Sequence, residues 1–122
     1  MQIHESAEDY LESILILKEQ KGEVRSIDIV NRTGYTKPSI SIAMKNLREN
    51  GYIVMDSNGY ITLTDSGLAI ATRIYTRHRV LTKLLIGLGV NAKTAAEDAC
   101  RIEHDLSGET FDRIREFTDK NF

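Results

Sequence analysis

Five side chains of metal-ligand type stand in two groups near the ends of a 122-residue chain. Asp9 and Glu12 form the first; Cys100, Glu103 and His104 form the second. Spacings of three and four residues put side chains on one face of a helix, so each group can present its donors together. Carboxylates, an imidazole and a thiolate make a mixed donor set that suits a first-row transition metal. Plainer readings exist for each. Asp9 and Glu12, beside Tyr10 and Leu11, can be solvated charges flanking a buried edge; Cys100 can be a small buried hydrophobe, and Glu103-His104 a surface pair. A cation held by both groups would tie the two ends together, and its occupancy could govern what lies between.

What lies between reads as a helix-turn-helix. The first helix is expected over about Ser6 to Lys21, with Tyr10, Leu11, Ile14, Leu15 and Leu17 at helical spacing, a capping-box variant from Ser6 to Asp9, and Gly22 as the stop. Ser26 is expected to cap a short helix, Ile27 to Thr33, which Gly34 ends. Thr36 caps the next, where Pro38, the only proline, falls in the first turn and a missing N–H costs nothing. Ile40, Ala43, Met44 and Leu47 give that helix a buried face, and Gly51 closes it. Strands follow at Tyr52 to Val54 and Tyr60 to Leu63, joined through Asp56-Ser57-Asn58-Gly59, whose Asn-Gly step is a strong hairpin signal. A helix-turn-helix with a hairpin attached is a winged helix. Three helices remain, at about Asp65 to Ile86, Ala92 to Leu106 and Glu109 to Asp119, the last capped from Ser107. The fold class is therefore mainly α with a small β-hairpin wing: a winged helix-turn-helix over 1–72 followed by a helical domain over 73–122.

On the second helix of the motif, Ser39, Ser41 and Lys45 lie off the apolar stripe, and Thr36, Lys37 and Pro38 sit at its N-terminal end. Small hydroxyls and lysines there can approach phosphates and base edges. An ordinary solvated helix face is the alternative, and the wing argues against it. Arg25 and Ser26 are candidate phosphate contacts, as is Asn58 at the wing tip, whose other role is to form the turn. His78, between Arg77 and Arg79, reads as a phosphate or surface residue.

Composition narrows the class. The net charge of −2 does not announce nucleic acid. Its distribution says more: Thr36 to Asn50 carries Lys37, Lys45 and Arg48 against Glu49, while residues 81–122 carry six basic and eight acidic side chains. One cysteine excludes an internal disulfide and suits a reducing compartment. No apolar run nears the ~20 residues that span a bilayer, and the N-terminus lacks a signal-peptide pattern, so the cytoplasm is the default. No phosphate cradle or substrate loop is visible, and an enzyme is not expected. The last two helices offer Ala95, Ala99, Ile102, Leu106, Phe111, Ile114 and Phe117, more apolar surface than two helices bury alone.

As an ensemble, AEDYLESIL, the helix-turn-helix with Pro38, RHRVLTKLL and DACRIEHDLS resemble the diphtheria toxin repressor and manganese transport regulator family over essentially the whole chain. The resemblance implies a homodimeric, metal-activated repressor of metal-uptake genes. Its winged domain would bind a palindromic operator in double-stranded DNA, and its C-terminal helices would make the dimer. Asp9 and Glu12 match the helix 1 acidic positions of manganese-type members, His78 their long-helix histidine, and Glu103 and His104 their glutamate-histidine pair. Cys100 stands where those members carry glutamate, as in iron-type members. Thr82 and Ala96 replace a glutamate and a histidine of the iron-type accessory site. The implied cofactor is Fe²⁺ or Mn²⁺, with Co²⁺, Ni²⁺ or Zn²⁺ as substitutes. One site would use Asp9, Cys100, Glu103 and His104, and a second Glu12 and His78, with Glu103 bridging. A metal-free winged-helix regulator that senses oxidation at Cys100, or a small ligand, is the alternative.

Overall fold

The computed structural model describes residues 5–122. Its elements run α1 (Glu5–Lys21), α2 (Ser26–Thr33), α3 (Lys37–Glu49), β1 (Ile53–Met55), β2 (Ile61–Leu63), α4 (Asp65–Gly87), α5 (Ala92–Ile102) and α6 (Gly108–Asn121). This is the expected winged helix-turn-helix followed by helices. The chain divides into one compact unit ending at Thr72 and another of Arg73–Phe122, with the boundary inside α4. Among the described residues, no helix is long and apolar enough to cross a membrane.

In the first unit, α1 packs on α2 and β2, and α3 packs on α2 and β1. Their apolar stripes meet in one core, where Leu11, Ile14, Ile29, Ile40, Met44 and Ile61 are almost wholly buried. Three details define how the motif is built. Gly34, in the left-handed conformation at φ 78°, turns the chain between α2 and α3. Thr36 caps α3, its hydroxyl accepting from the Ser39 N–H at 3.3 Å. The Ile61 N–H donates to the Val24 carbonyl at 2.7 Å and ties the wing to the α1–α2 connection.

The strands pair antiparallel, Ile53 with Leu63, Val54 with Thr62 and Met55 with Ile61. Each begins one residue later than the sequence suggests. The connection is the expected hairpin, and its loop is anchored by Asp56 as well as by the Asn-Gly step. Only Gly59 has positive φ, at 83°, and the Asp56 carboxylate accepts from the Asn58 and Tyr60 N–H groups at 2.8 and 3.0 Å. An Asp-anchored turn ending in a left-handed glycine makes a three-residue loop.

Two caps differ from expectation. Ser6 lies inside α1, and the residue preceding Glu5 is outside the described residues. Ser26 is the first residue of α2 rather than its cap; Arg25 holds the extended cap position at φ −121° and ψ 165°. The Asp28 carboxylate takes over the capping, accepting from the Arg25 N–H at 2.9 Å. It also accepts from the Lys21 ammonium. The Lys21 hydrogen bond first, then the Arg25 N–H, holds the Asp28 carboxyl below the usual range. A depressed folded-state pKa contributes stability that is present above the unfolded value and is lost as pH falls through the folded one. Asp28→Asn should therefore destabilise the protein by about 0.5–1 kcal/mol at pH 7. The gap should close as the wild-type carboxyl protonates below about pH 4. Urea unfolding of both proteins at pH 7 and pH 3 checks this; a gap of equal size at both would contradict it.

In the second unit, Asn91 caps α5, its side-chain oxygen accepting from the Lys93 N–H at 2.9 Å. Ser107 caps α6, accepting from the Thr110 N–H at 3.1 Å. Ile74 and Leu81 of α4, Ala95 and Ala99 of α5 and Phe111 of α6 are buried. Ile86, Leu88, Ile102, Phe117 and Phe122 stay exposed. The apolar surplus read from the sequence is thus real but smaller: Ala95, Ala99 and Phe111 are covered by the single chain.

Candidate metal centre and nucleic-acid face

α5 ends earlier than the apolar pattern suggests, at Ile102 rather than Leu106. Glu103 is its C-cap, at φ −60° and ψ −26°, and its N–H still bonds the Ala99 carbonyl. The cause is Arg77 of α4. Its guanidinium donates to the Glu103 carbonyl at 3.0 Å and to the Leu106 carbonyl at 2.8 Å. Those carbonyls would otherwise need the next turn of α5. Arg77 is 6% exposed and lies 5.2 Å from the Phe111 ring centroid, so one cation also closes the link to α6. This role is not legible from the residues around Arg77. Its only signal is an arginine on the apolar side of α4, one turn after Ile74.

Ending α5 there leaves Glu103 and His104 in a turn rather than on one helix face. The Glu103 side chain is fully buried. One carboxylate oxygen lies 2.9 Å from His78 Nδ1, and the other 3.4 Å from His104 Nε2. The His104 side chain is 2% exposed and that of His78 28%. A buried carboxylate is costly unless positive charge or hydrogen bonds compensate it. Two imidazole nitrogens face its two oxygens, an arrangement that ring N–H donors or a metal ion can each complete. Donor atoms about 3 Å apart fit neighbouring positions around a small divalent ion. The donor set therefore fits the metal that the sequence resemblance implies. Cys100 stands one turn before Glu103 on α5, with an exposed thiol.

In the first unit, Asp9 and Glu12 lie on one side of α1, Asp9 half-buried and Glu12 9% exposed. Glu8, one turn before Glu12, is 7% exposed. Glu8 joins Asp9 and Glu12 in the most acidic run of the helix. Three carboxylates at this spacing repel one another, which favours a cation beside them. The Tyr10 hydroxyl is held above its ordinary pKa, by burial first and then by Tyr35 and Asp9.

The candidate nucleic-acid residues also lie in the first unit. Thr36, Lys37, Pro38 and Ser39 are exposed at the N-terminal end of α3. The Thr36 and Ser39 hydroxyls hydrogen-bond at 2.9 Å. Ser41 faces α2, lining a surface cleft with Ser26, Ile27, Val30 and Lys37. Lys45 is exposed, with its ammonium 4.0 Å from Glu49, a weak surface pair. Arg25 lays its guanidinium over Tyr60, 4.3 Å from the ring centroid, which joins the start of α2 to the wing. Asn58 is exposed in the wing loop.

Residues 2–61 match a family model described as the iron dependent repressor, N-terminal DNA binding domain. Residues 64–121 match the iron dependent repressor, metal binding and dimerisation domain. The HTH-type transcriptional regulator MntR of Geobacillus thermodenitrificans is 36% identical over 109 residues, covering 89% of this chain and 77% of its own. An uncharacterized HTH-type transcriptional regulator of Methanocaldococcus jannaschii is 33% identical over 118 residues, covering 95% of this chain and 94% of its own. A manganese-dependent transcriptional repressor solved in complex with manganese superposes with a TM-score of 0.84 at 30% identity, over 93% of this chain and 52% of that one. The chain spans about half the length of the solved regulators it matches.

Proposed function

Because this chain belongs to the iron-dependent repressor family, we propose that it is a dimeric, metal-dependent DNA-binding repressor that acts in the cytoplasm on metal-uptake genes. The observation that carries the reading is the buried Glu103 carboxylate, with a histidine nitrogen near each oxygen, in the unit matched by the metal-binding model. Asp9, Cys100, Glu103 and His104 form one ligand set, and Glu12 and His78, with Glu103 shared, form another. Fe²⁺ or Mn²⁺, when bound, would add positive charge beside these carboxylates. Co²⁺, Ni²⁺ and Zn²⁺ are candidate substitutes.

The chain's own residues do the rest. Asp9 and Glu12 lie on α1, which packs on α2 and so carries α3 with it. Holding those carboxylates to donors on α4 and α5 selects one placement of α3. In a dimer that placement spaces two reading helices for successive major grooves, ~34 Å apart. The effect is a population shift, and by linkage operator DNA tightens metal binding by the same factor. Thr36, Lys37, Pro38, Ser39, Ser41 and Lys45, with Arg25, Ser26 and Asn58 around them, form the DNA face. The exposed Ile86, Leu88, Ile102 and Phe117 suit the contact with a second copy. Family membership supports this reading and not a metal-free redox sensor, and the family's regulators are not enzymes.

The test is operator binding across Mn²⁺, Fe²⁺, Zn²⁺ and chelator, with bound metal measured. Binding should require metal; equal affinity in chelator would end the proposal.

Cys100 sets the metal preference. Thiolate is softer than carboxylate and biases the site towards Fe²⁺, Co²⁺ or Zn²⁺, whereas Asp9 and Glu12 suit Mn²⁺. Both Fe²⁺ and Mn²⁺ should activate, Fe²⁺ somewhat better. Cys100→Glu should move the preference towards Mn²⁺ and keep metal-dependent DNA binding. Cys100→Ala should weaken activation by every metal. Unchanged metal affinity in Cys100→Ala, read by competition with a chelating dye, would leave Cys100 as a packing residue.

A further inference from the structure

α3 exposes one large aliphatic side chain where nothing in its own fold needs it. Ile40 is fully buried, whereas Ile42, two residues on, is 63% exposed. Two helical steps turn the side chain by about 200°, so Ile42 points away from the stripe of Ile40, Met44 and Leu47. A single apolar residue on a surface is ordinary. Two features set this one apart. Isoleucine is a mediocre helix former, so its place on a solvated helix face is not explained by propensity. It also occupies the middle of the outward ridge, one turn after Pro38, with the exposed polar side chains of Ser39, Lys45 and Asn46 around it. This is the ridge a reading helix presents to the floor of the major groove.

We infer that Ile42 is a specificity-determining residue that reads a thymine through its 5-methyl group. The inference rests on the DNA-reading role proposed above for α3 and deepens it. Each base pair presents a distinct pattern in the major groove, and the thymine methyl is its one apolar element. A branched aliphatic side chain has no donor or acceptor to offer a base edge, so this methyl is the chemistry it can discriminate. Lys37 and Lys45 beside it supply attraction to phosphates that carries no sequence information.

The test uses full-length, Mn²⁺-loaded protein and duplexes it selects from a randomised pool. Each thymine of a selected half-site is replaced in turn by deoxyuridine, which removes only the methyl group. At one position per half-site the wild type should lose about fourfold in affinity, the worth of one buried methyl. For Ile42→Ala the same replacement should cost nothing, while Ile42→Val should keep part of the effect. Ile42 is exposed, so both variants should retain the wild-type circular dichroism and thermal midpoint. If no thymine methyl matters to the wild type, or if one matters equally to Ile42→Ala, the inference is overturned while the DNA-reading role stands. Selection of no sequence at all would remove that role, and the inference with it.

Discussion

Glu103→Gln should lower the affinity for Mn²⁺ and for Fe²⁺ by more than about 100-fold, beyond the loss usual for residues that only support metal ligands. The substitution keeps the shape of the side chain and removes its charge. Both proposed ligand sets use this carboxylate, so one change disables both. The side chain is fully buried, with a histidine nitrogen near each of its oxygens. The metal-free protein should be somewhat less stable, because the amide keeps the shape of the side chain and weakens its contacts with His78 and His104. Saturating metal should raise the thermal midpoint of the wild type, by the equivalent of about 2.7 kcal/mol at 100 times Kd, and leave that of Glu103→Gln unmoved. A merely structural role would lower the midpoint and leave the metal-induced rise intact.

Gly67→Ala should cost about 2–4 kcal/mol of stability, with a fall in thermal midpoint of roughly 10 °C. Gly67 is buried in the first turn of α4, where a Cβ would run into the Tyr52 carbonyl oxygen and stand 3.0 Å from its carbon. That carbonyl cannot simply swing away. It accepts from the Thr64 N–H at 3.1 Å, and the Thr64 hydroxyl donates to the Gly51 carbonyl at 2.7 Å. The same hydroxyl accepts from the Gly67 N–H at 3.2 Å, so the entry to the wing and the start of α4 share one knot of hydrogen bonds. Gly108→Ala is the control, since a Cβ there meets nothing. It should be neutral or slightly stabilising. Thermal unfolding of both variants decides the matter, and equal midpoints would mean the knot can relax.

The sequence carried the architecture well because its signals were local. Glycines after α1, α2 and α3, the Thr36 cap with Pro38 behind it, and Ser107 before α6 each mark an end within a few residues. What it hid depended on partners far along the chain. Nothing near Glu103 says that α5 stops there; the reason is Arg77, 26 residues earlier. Ser26 has the right chemistry for a cap, yet Asp28 does the work because Lys21, from the preceding helix, holds it in place. The hairpin was legible from its Asn-Gly step, whereas the anchoring of the turn by the Asp56 carboxylate is a matter of side-chain geometry that the sequence does not show. At the candidate metal centre, spacing identified Glu103 and His104 but could not say that they sit in a turn, and it took the family resemblance, not spacing, to pair His78 with Glu103. Ile42 escaped notice for a different reason. Apolar periodicity marks what is buried, and only the folded structure shows an isoleucine turned outward.

In the proposed function, one equilibrium joins the candidate metal centre to the DNA face. Its most direct test is a titration of Mn²⁺ into the protein, free and saturated with a selected operator duplex, beside operator binding measured with and without metal. The operator should tighten Mn²⁺ binding by the factor by which Mn²⁺ tightens operator binding, within the 5- to 150-fold range usual for allosteric coupling. An identical Mn²⁺ affinity in the free and operator-bound protein would contradict the account.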